Sequence, residues 1–420
     1  MTGGRGEIIA VGSELVSGLV AESNAGVVAR GLLDAGLEVA VITCVGDEPS
    51  AMEDALRRAV ARSAFVVVTG GLGPTDDDLT AQVAAAALGR ELIFDPEFLS
   101  HVEDYFRGRG LDAGTGMRKL ARIPEGAYFL DPGGRTCGFY LEQEDRLVFF
   151  LPGVPSEVGR LVTERLLPLL AEKTCPPQAV VRRRVLKVFG LEEFDIGKLT
   201  EGFDHQGVAF SYLPVFPGHQ LVLTAKGVDA AEAERRLAAV GDAVRGRLGE
   251  GVYGEGEDTL AAVVGSLLRE AGRTLAVAES CTGGLIGHLI TEVAGSSKYF
   301  DRGLVTYSNR AKMELLGVPE DVPRSFGAVS AECAAAMASG LRERARSGLA
   351  LSVTGIAGPG GGSEAKPVGT VWFGLADEQG TRTRVACFEG GRSEIKTAAA
   401  WTALDWLRRR LLPNLRLRFP

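Results

Sequence analysis

The chain has 420 residues, 45% of them hydrophobic and 24% charged, with a net charge of −8. At about 100–200 residues per domain this length holds two to four soluble globular domains. The acidic surplus gives no support to a general affinity for nucleic acid or an anionic membrane, and no apolar stretch approaches the roughly 20 residues of a membrane helix.

The basic runs Arg182-Arg183-Arg184 and Arg408-Arg409-Arg410 are short and read as solvated faces. Glu7 beside a very short apolar run argues against a signal peptide. The cysteines Cys44, Cys137, Cys175, Cys281, Cys333 and Cys387 show no Cys-x-x-Cys spacing, so neither zinc nor a redox motif is indicated. Scattered cysteines in a long chain fit a reducing, cytoplasmic setting.

The first segment alternates strand and helix patterns. Residues 8–12 read as a strand, 23–35 as an amphipathic helix, 38–45 as a strand, 51–61 as a helix and 65–69 as a continuous apolar strand. Such alternation predicts a parallel sheet covered by helices, with ligands at the carboxyl ends of its strands. Two of those ends are informative: Gly12-Ser13-Glu14-Leu15, and Gly70-Gly71-Leu72-Gly73-Pro74-Thr75 followed by Asp76-Asp77-Asp78-Leu79-Thr80. The glycines can cradle phosphates ahead of a helix start, and clustered carboxylates suit a hard divalent cation. Capping by Thr75 or Asp76 explains one or two acids but not three, so ligand binding is the better reading. Residues 147–151 read as the strand that closes this sheet, and a helix is predicted over 156–170.

Cys175-Pro176-Pro177-Gln178 reads as a linker. The middle segment then offers strands over 180–189, 207–212 and 220–226 and helices over 193–200 and 230–248, a small α+β unit. Its nearest approach to a nucleotide-clamping Gly-x-x-Gly loop is Gly190-Leu191-Glu192-Glu193, which is acidic and lacks the second glycine, so nucleic acid is not an expected partner. The glycine- and acid-rich stretch 252–258 reads as a second linker, and 259–271 as a helix.

The last segment carries the sharpest chemistry. An apolar strand over 274–278 runs into Glu279-Ser280-Cys281-Thr282-Gly283-Gly284, and a helical pattern follows from Leu285. A hydroxyl where a strand turns into a helix suits acyl transfer, since free amides at a helix start attract a developing oxyanion; the plainer reading is that Ser280 or Thr282 caps the helix. The next strand, 303–307, ends in Tyr307-Ser308-Asn309-Arg310-Ala311-Lys312. His288 lies two helical turns past Ser280, which supports a Ser-His-Asp triad poorly. A Ser-Lys pair is open if Lys312 is desolvated enough to be partly neutral; taken alone, a lysine is a solvated helix residue. Cys281 reads as a buried small residue rather than the nucleophile. A third strand, 349–354, empties into the loop from Gly355 to Gly362, a floppy segment or a wall of amides around an anion or carboxamide. A hairpin of strands 370–375 and 383–388 and a terminal helix over 392–412, with Trp401 and Trp406 packed on the sheet, complete the chain.

Five stretches in order, residues 278–284, Tyr307-Ser308-Asn309 with Lys312, Gly327-Ala328-Val329-Ser330, Gly355-Ile356-Ala357-Gly358-Pro359 and Lys366-Pro367-Val368-Gly369-Thr370, resemble the C-terminal domain of the CinA family, which is similar to nicotinamide mononucleotide (NMN) deamidases. The resemblance implies a Ser/Lys amidohydrolase over 257–414 that needs no cofactor, with Ser280 as nucleophile, Lys312 as base and Tyr307 as a proton-relay or orienting group. It implies that Glu279, Thr282, Gly283, Gly284, Ser296, Asn309, Gly355, Ala357 and Gly358 line the NMN site, with amides near Thr282 to Gly284 as the oxyanion hole. Residues 1–172 resemble the MogA/MoeA-like domain of the same family through Val11-Gly12-Ser13-Glu14, Asn24, Thr69 to Thr75, Asp77-Asp78, Thr80 and Pro152 to Glu157. That resemblance implies a nucleotide or diphosphate pocket formed by Glu14, Asn24, Gly70, Gly71, Gly73, Thr75, Asp77, Asp78 and Glu157. Asp77 and Asp78 would hold Mg2+ or a transition metal for ADP-ribose hydrolysis. One stretch departs from the pattern: Asp131 to Gly138 replaces Asn-x-x-Gly-Thr-Ala-Pro-Gly, gaining a carboxylate and an arginine. This leaves open whether the domain hydrolyses a ligand or is a nucleotide- or pterin-binding regulator. The middle segment, 178–252, resembles the family's KH-like domain, a spacer or dimerisation unit, and the resemblance implies a homodimer.

Overall fold

A computed structural model describes residues 5–110, 115–133, 137–173 and 180–412; the expected linker at 175–178 and the loop residues Gly134, Arg135 and Thr136 lie outside them. Two compact units divide between Arg182 and Arg183, with Lys226–Glu234 grouped with the first. The first and last domains are α/β with mixed sheets, and the segment between them in the chain is a small α+β unit.

The first unit is built on strands β1 (Arg5–Val11), β2 (Glu38–Val45), β3 (Phe65–Thr69), β4 (Leu92–Phe94), β5 (Arg122–Pro124), β6 (Tyr128–Phe129), β7 (Phe139–Gln143) and β8 (Arg146–Leu151). Six of them form one sheet in the order β2-β1-β3-β8-β7-β6, while β4 and β5 pair separately. The expected parallel sheet holds for β2, β1, β3 and β8, but β7 joins β8, and β6 joins β7, by antiparallel pairing. The cause is the two-residue turn Glu144-Asp145, with Glu144 at φ 55°, which folds β7 directly back on β8. Strand β8 therefore lies inside the sheet rather than closing it. Every residue of β3 is buried, as a strand covered by helices on both faces requires. Alternate residues supply two cores: Ile9, Val66, Val68 and Phe150 on one face, Ile8, Phe65, Val67 and Phe149 on the other. The helix expected over 156–170 is instead Pro155–Leu161, a π-turn over Val162–Leu166 and a last segment Leu167–Lys173. Pro168 lacks an N–H and crowds the carbonyl four residues back, which widens the turn before it.

Mostly in the second unit, β9 (Val180–Val188), β10 (Ala209–Val215), β11 (Gly218–Gly227) and β12 (Val252–Glu255) form a sheet in the order β10-β11-β9-β12. The stretch expected to be a second linker is thus largely a strand, antiparallel to β9. The basic runs are not solvated faces. Arg184 grips Glu255 through Nε at 2.8 Å and Nη2 at 2.9 Å, and Asp242 at 2.8 Å. Arg408 is buried, paired with Asp405, and donates to the carbonyls of Glu250 and Val252. Arg409 and Arg410 pair with Asp405 and Asp377.

The last sheet comprises β13 (Leu275–Glu279), β14 (Phe300–Val305), β15 (Leu349–Gly355), β16 (Thr370–Asp377) and β17 (Gly380–Cys387), in the order β14-β13-β15-β16-β17. Strands β14, β13 and β15 are parallel; β16 and β17 form the expected hairpin. The terminal helix, Arg392–Leu411, buries Trp406, whereas Trp401 meets Phe189 and Tyr253 at 5.7 Å each rather than the sheet alone. Helix Ala331–Ala345 crosses helix Asn309–Leu316 so closely that a β-carbon on Gly340 would stand 1.9 Å from the Leu316 carbonyl oxygen. Gly340→Ala is therefore expected to cost about 1–3 kcal/mol by overpacking. It should also lower any activity that depends on Lys312, which rides on the displaced helix; chemical denaturation of the variant checks the first effect.

Candidate functional site

Register brings the three predicted turns together. Glu279 at the end of β13 is level with Val305 of β14 and Val353 of β15. Ser280, Thr306-Tyr307 and Gly355 therefore emerge at one edge of the sheet, the carboxyl end where α/β folds place ligands.

Ser280 is 8% exposed, anchored by its amide on the Val353 carbonyl at 2.9 Å. Lys312 comes from helix Asn309–Leu316, whose start is capped by the Ser308 hydroxyl accepting from the Ala311 amide. Its buried face is Lys312 and Leu316, one turn apart. Lys312 is 1% exposed, so it is not the solvated residue a lone lysine suggests. Its Nζ lies 3.1 Å from Ser280 Oγ and donates to the Thr306 carbonyl at 2.9 Å. Burial holds its pKa below the ordinary lysine value. The neighbouring Cys281 thiol is pushed up by burial to about 12, so it stays protonated at neutral pH.

The helix start after Ser280 is occupied from within. The Glu279 carboxylate, 1% exposed, accepts from the amides of Gly284 at 3.0 Å, Ile286 at 3.1 Å and Gly287 at 2.9 Å. The Gly283 amide bonds the Ser280 carbonyl. Neither Gly283 nor Gly284 is thus a free oxyanion donor, a correction to the expected hole. Glu279 caps the helix rather than facing a ligand, and Thr282 is buried with no partner for its hydroxyl.

Tyr307 sits at the mouth, 61% exposed, where its hydroxyl accepts from Arg392 at 2.8 Å, not from Lys312 or Ser280. Arg392 also donates to the Gly358 carbonyl at 2.7 Å, tying the mouth to the glycine-rich loop. Gly355 ends β15, Ala357 and Gly358 are buried residues of that loop, and Asn309 is exposed beside the Ser308 cap. Ser296 precedes β14, so it lies at the opposite end of that strand, roughly 20 Å from the reactive turn at about 3.3 Å per residue. Sequence reasoning missed the Thr306 carbonyl, which has no side-chain signature, and Arg392, which comes from the last helix.

In the first unit, Thr75 gathers the acids. Its hydroxyl oxygen lies 2.5 Å from both Asp77 Oδ1 and Asp78 Oδ2, which share its single proton, and its amide donates to Asp78 at 2.9 Å. The following helix begins at Thr80, so these acids belong to a loop and cap nothing. A cavity of 440 Å³ is lined by Gly71, Gly73 and Asp78, together with Arg118, Lys119 and Arg122. Glu14, Asn24, Gly70, Thr75, Asp77 and Glu157 do not line it. Asn24 instead donates to the Gly153 carbonyl at 2.8 Å, and Glu14 is an exposed residue of the short helix Ser13–Val16. Burial raises the Glu157 pKa, with Asp131 adding to it and Arg160 opposing. Asp131, the carboxylate gained by the divergent loop, is buried against Arg160 at 2.9 Å. Among the described residues no group of three or more His, Cys, Asp or Glu is placed to hold a metal ion. Asp77 and Asp78, turned onto one hydroxyl, do not fit a metal centre. Nor, among those residues, is any helix long and apolar enough to cross a membrane.

Three family models match in succession: a probable molybdopterin binding domain over residues 7–172, the damage-inducible protein CinA KH domain over 183–254 and the CinA C-terminal domain over 257–411. A CinA-like protein of Geobacter sulfurreducens is 46% identical over 407 residues, covering 96% of this chain and 98% of its own. One from Geobacter metallireducens is 42% identical over 410 residues, covering 97% and 99%. The crystal structure of the competence/damage inducible protein CihA from Agrobacterium tumefaciens is 45% identical where it matches, covering 36% of this chain and 93% of its own, with a TM-score of 0.35.

Proposed function

The chain belongs to the CinA family, and from that premise we propose that its C-terminal domain is an amidohydrolase that converts NMN and water to nicotinic acid mononucleotide and ammonia. The observation that carries this reading is the buried pair Lys312 Nζ and Ser280 Oγ, 3.1 Å apart. Burial favours the neutral amine, which takes the Ser280 proton as Oγ attacks the carboxamide carbon. The tetrahedral oxyanion collapses, the C–N bond breaks, and the ammonium of Lys312 returns the proton to the departing nitrogen. Water, deprotonated by the same lysine, then cleaves the acyl-serine. With the Gly283 and Gly284 amides already bonded, the Cys281 and Thr282 amides are the turn's remaining donors for the oxyanion. Tyr307 orients the ligand from the mouth, held there by Arg392.

Ammonia release from NMN by the purified protein, with and without EDTA, tests this reading. Equal release in both is expected, since every step uses side chains of this chain; no release in either overturns it.

For the N-terminal domain we propose a binding module for a nucleotide- or pterin-type anion. The cavity's Arg118, Lys119 and Arg122 support an anionic ligand, and the tying of Asp77 and Asp78 by Thr75 speaks against a metal-dependent diphosphatase. Formation of AMP from ADP-ribose that EDTA abolishes would restore the hydrolase reading.

A further inference from the structure

Resting on the deamidase reading, we propose that Lys396 is the phosphate-recognition residue of the Ser280 site, making the enzyme selective for phosphorylated pyridine ribosides. Lys396 projects from the first turns of helix Arg392–Leu411, one turn beyond Arg392 and so on the same face. Its ammonium overhangs the nucleophile's turn: a β-carbon built on Gly283, three residues after Ser280, would stand 3.6 Å from Lys396 Nζ. The two cations differ in what they hold. Arg392 is committed to the Tyr307 hydroxyl and the Gly358 carbonyl. Lys396 is half-buried and has no hydrogen-bond or ion-pair partner among the described residues. A half-buried ammonium with no acceptor is incompletely compensated, and an anion arriving from solution supplies what it lacks.

Local charge narrows the ligand. The acid nearest the turn, Glu279, is sealed by three amides. The start of the terminal helix is capped by Glu394, which accepts from the Gly391 amide at 2.6 Å, so Arg392 and Lys396 together still leave this side of the site positive. A nicotinamide riboside carries a pyridinium cation, which this field repels. Attaching a phosphate monoester places a compensating dianion in the same molecule. Lys396 thus acts twice, attracting the phosphorylated ligand and disfavouring the bare riboside, and a difference between two ligands is what specificity requires.

The test compares kcat/KM for NMN and for nicotinamide riboside in the parent, Lys396→Met and Lys396→Arg proteins. Lys396→Met should lower the NMN-to-riboside ratio by about 10- to 100-fold, the range for one charge-assisted hydrogen bond, chiefly through KM. Lys396→Arg should restore most of it. An unchanged ratio in Lys396→Met, with NMN still hydrolysed by the parent, overturns this proposal and leaves the deamidase reading standing. If the parent releases no ammonia from NMN, the deamidase reading fails, and calorimetric titration with ribose 5-phosphate decides about Lys396. Binding weakened at least tenfold in Lys396→Met supports it, whereas equal binding, or none to the parent, overturns it.

Discussion

Ser280→Ala protein should release ammonia from NMN at least about a thousandfold more slowly than the parent, because among the described residues Ser280 carries the one side-chain hydroxyl that Lys312 contacts. Cys281 is the obvious substitute by position, but its thiol is held protonated to about 12 by burial. Cys281→Ala should accordingly keep most of the activity. Lys312→Met should match Ser280→Ala in severity, and the double variant should be little worse than either, since nucleophile and base act as a unit. The pH profile gives an independent check. The neutral amine is the active form and burial lowers the Lys312 pKa from 10.5. Hence kcat/KM should rise with pH and level off below 10.5, not above it as an ordinary lysine would require. Sustained activity in Lys312→Met, or a profile that is flat, would refute the assignment.

Glu279→Ala should be the most destabilising single change near the site, at about 3 kcal/mol or more. It strips a buried carboxylate from three amides and leaves them with no acceptor at the start of helix Leu285–Thr291. Glu279→Gln keeps one carbonyl oxygen in place and should lose about half as much. The measurement is convenient: Trp372, Trp401 and Trp406 are the chain's only tryptophans, and all lie in the last domain. Intrinsic fluorescence during urea unfolding therefore reports on the part that Glu279 stabilises. A loss below about 1 kcal/mol for the alanine variant would mean that solvent satisfies those amides.

Much of this site was legible because it is written in local order. A strand, a hydroxyl, two glycines and a helical pattern recur as one continuous stretch, and parallel pairing then fixes where such turns meet. Lys312 was harder to read, since exposure statistics for lysine point to solvent; its burial follows from sharing a helix face with Leu316, a spacing present in the sequence but weak beside the charge. The role of Glu279 could not be read from composition at all. A carboxylate before a serine looks like part of the chemistry, and only its three bonds to amides identify it as a cap. The same limit applies to the three acids after Gly73, which looked like a metal cradle until Thr75 proved to hold two of them. Strand β12 was misread because glycine and acids mark loops locally, whereas its pairing with β9 is a long-range contact. The arginine runs were misread largely for the same reason: apart from the local Asp405, their partners, Glu255, Glu250 and Asp377, are distant in the chain.

Those partners carry a consequence for how the protein comes apart. The matched family segments end at residue 254 and resume at 257, which invites cutting the chain there. Yet Arg408 of the terminal helix donates to carbonyls on the near side of that cut, and Trp401 rests against Phe189 and Tyr253. A fragment beginning at 257 would carry an uncovered indole and a guanidinium stripped of two acceptors. The middle sheet and the last domain are therefore expected to unfold together, so a boundary drawn from sequence likeness need not be a boundary of independent folding.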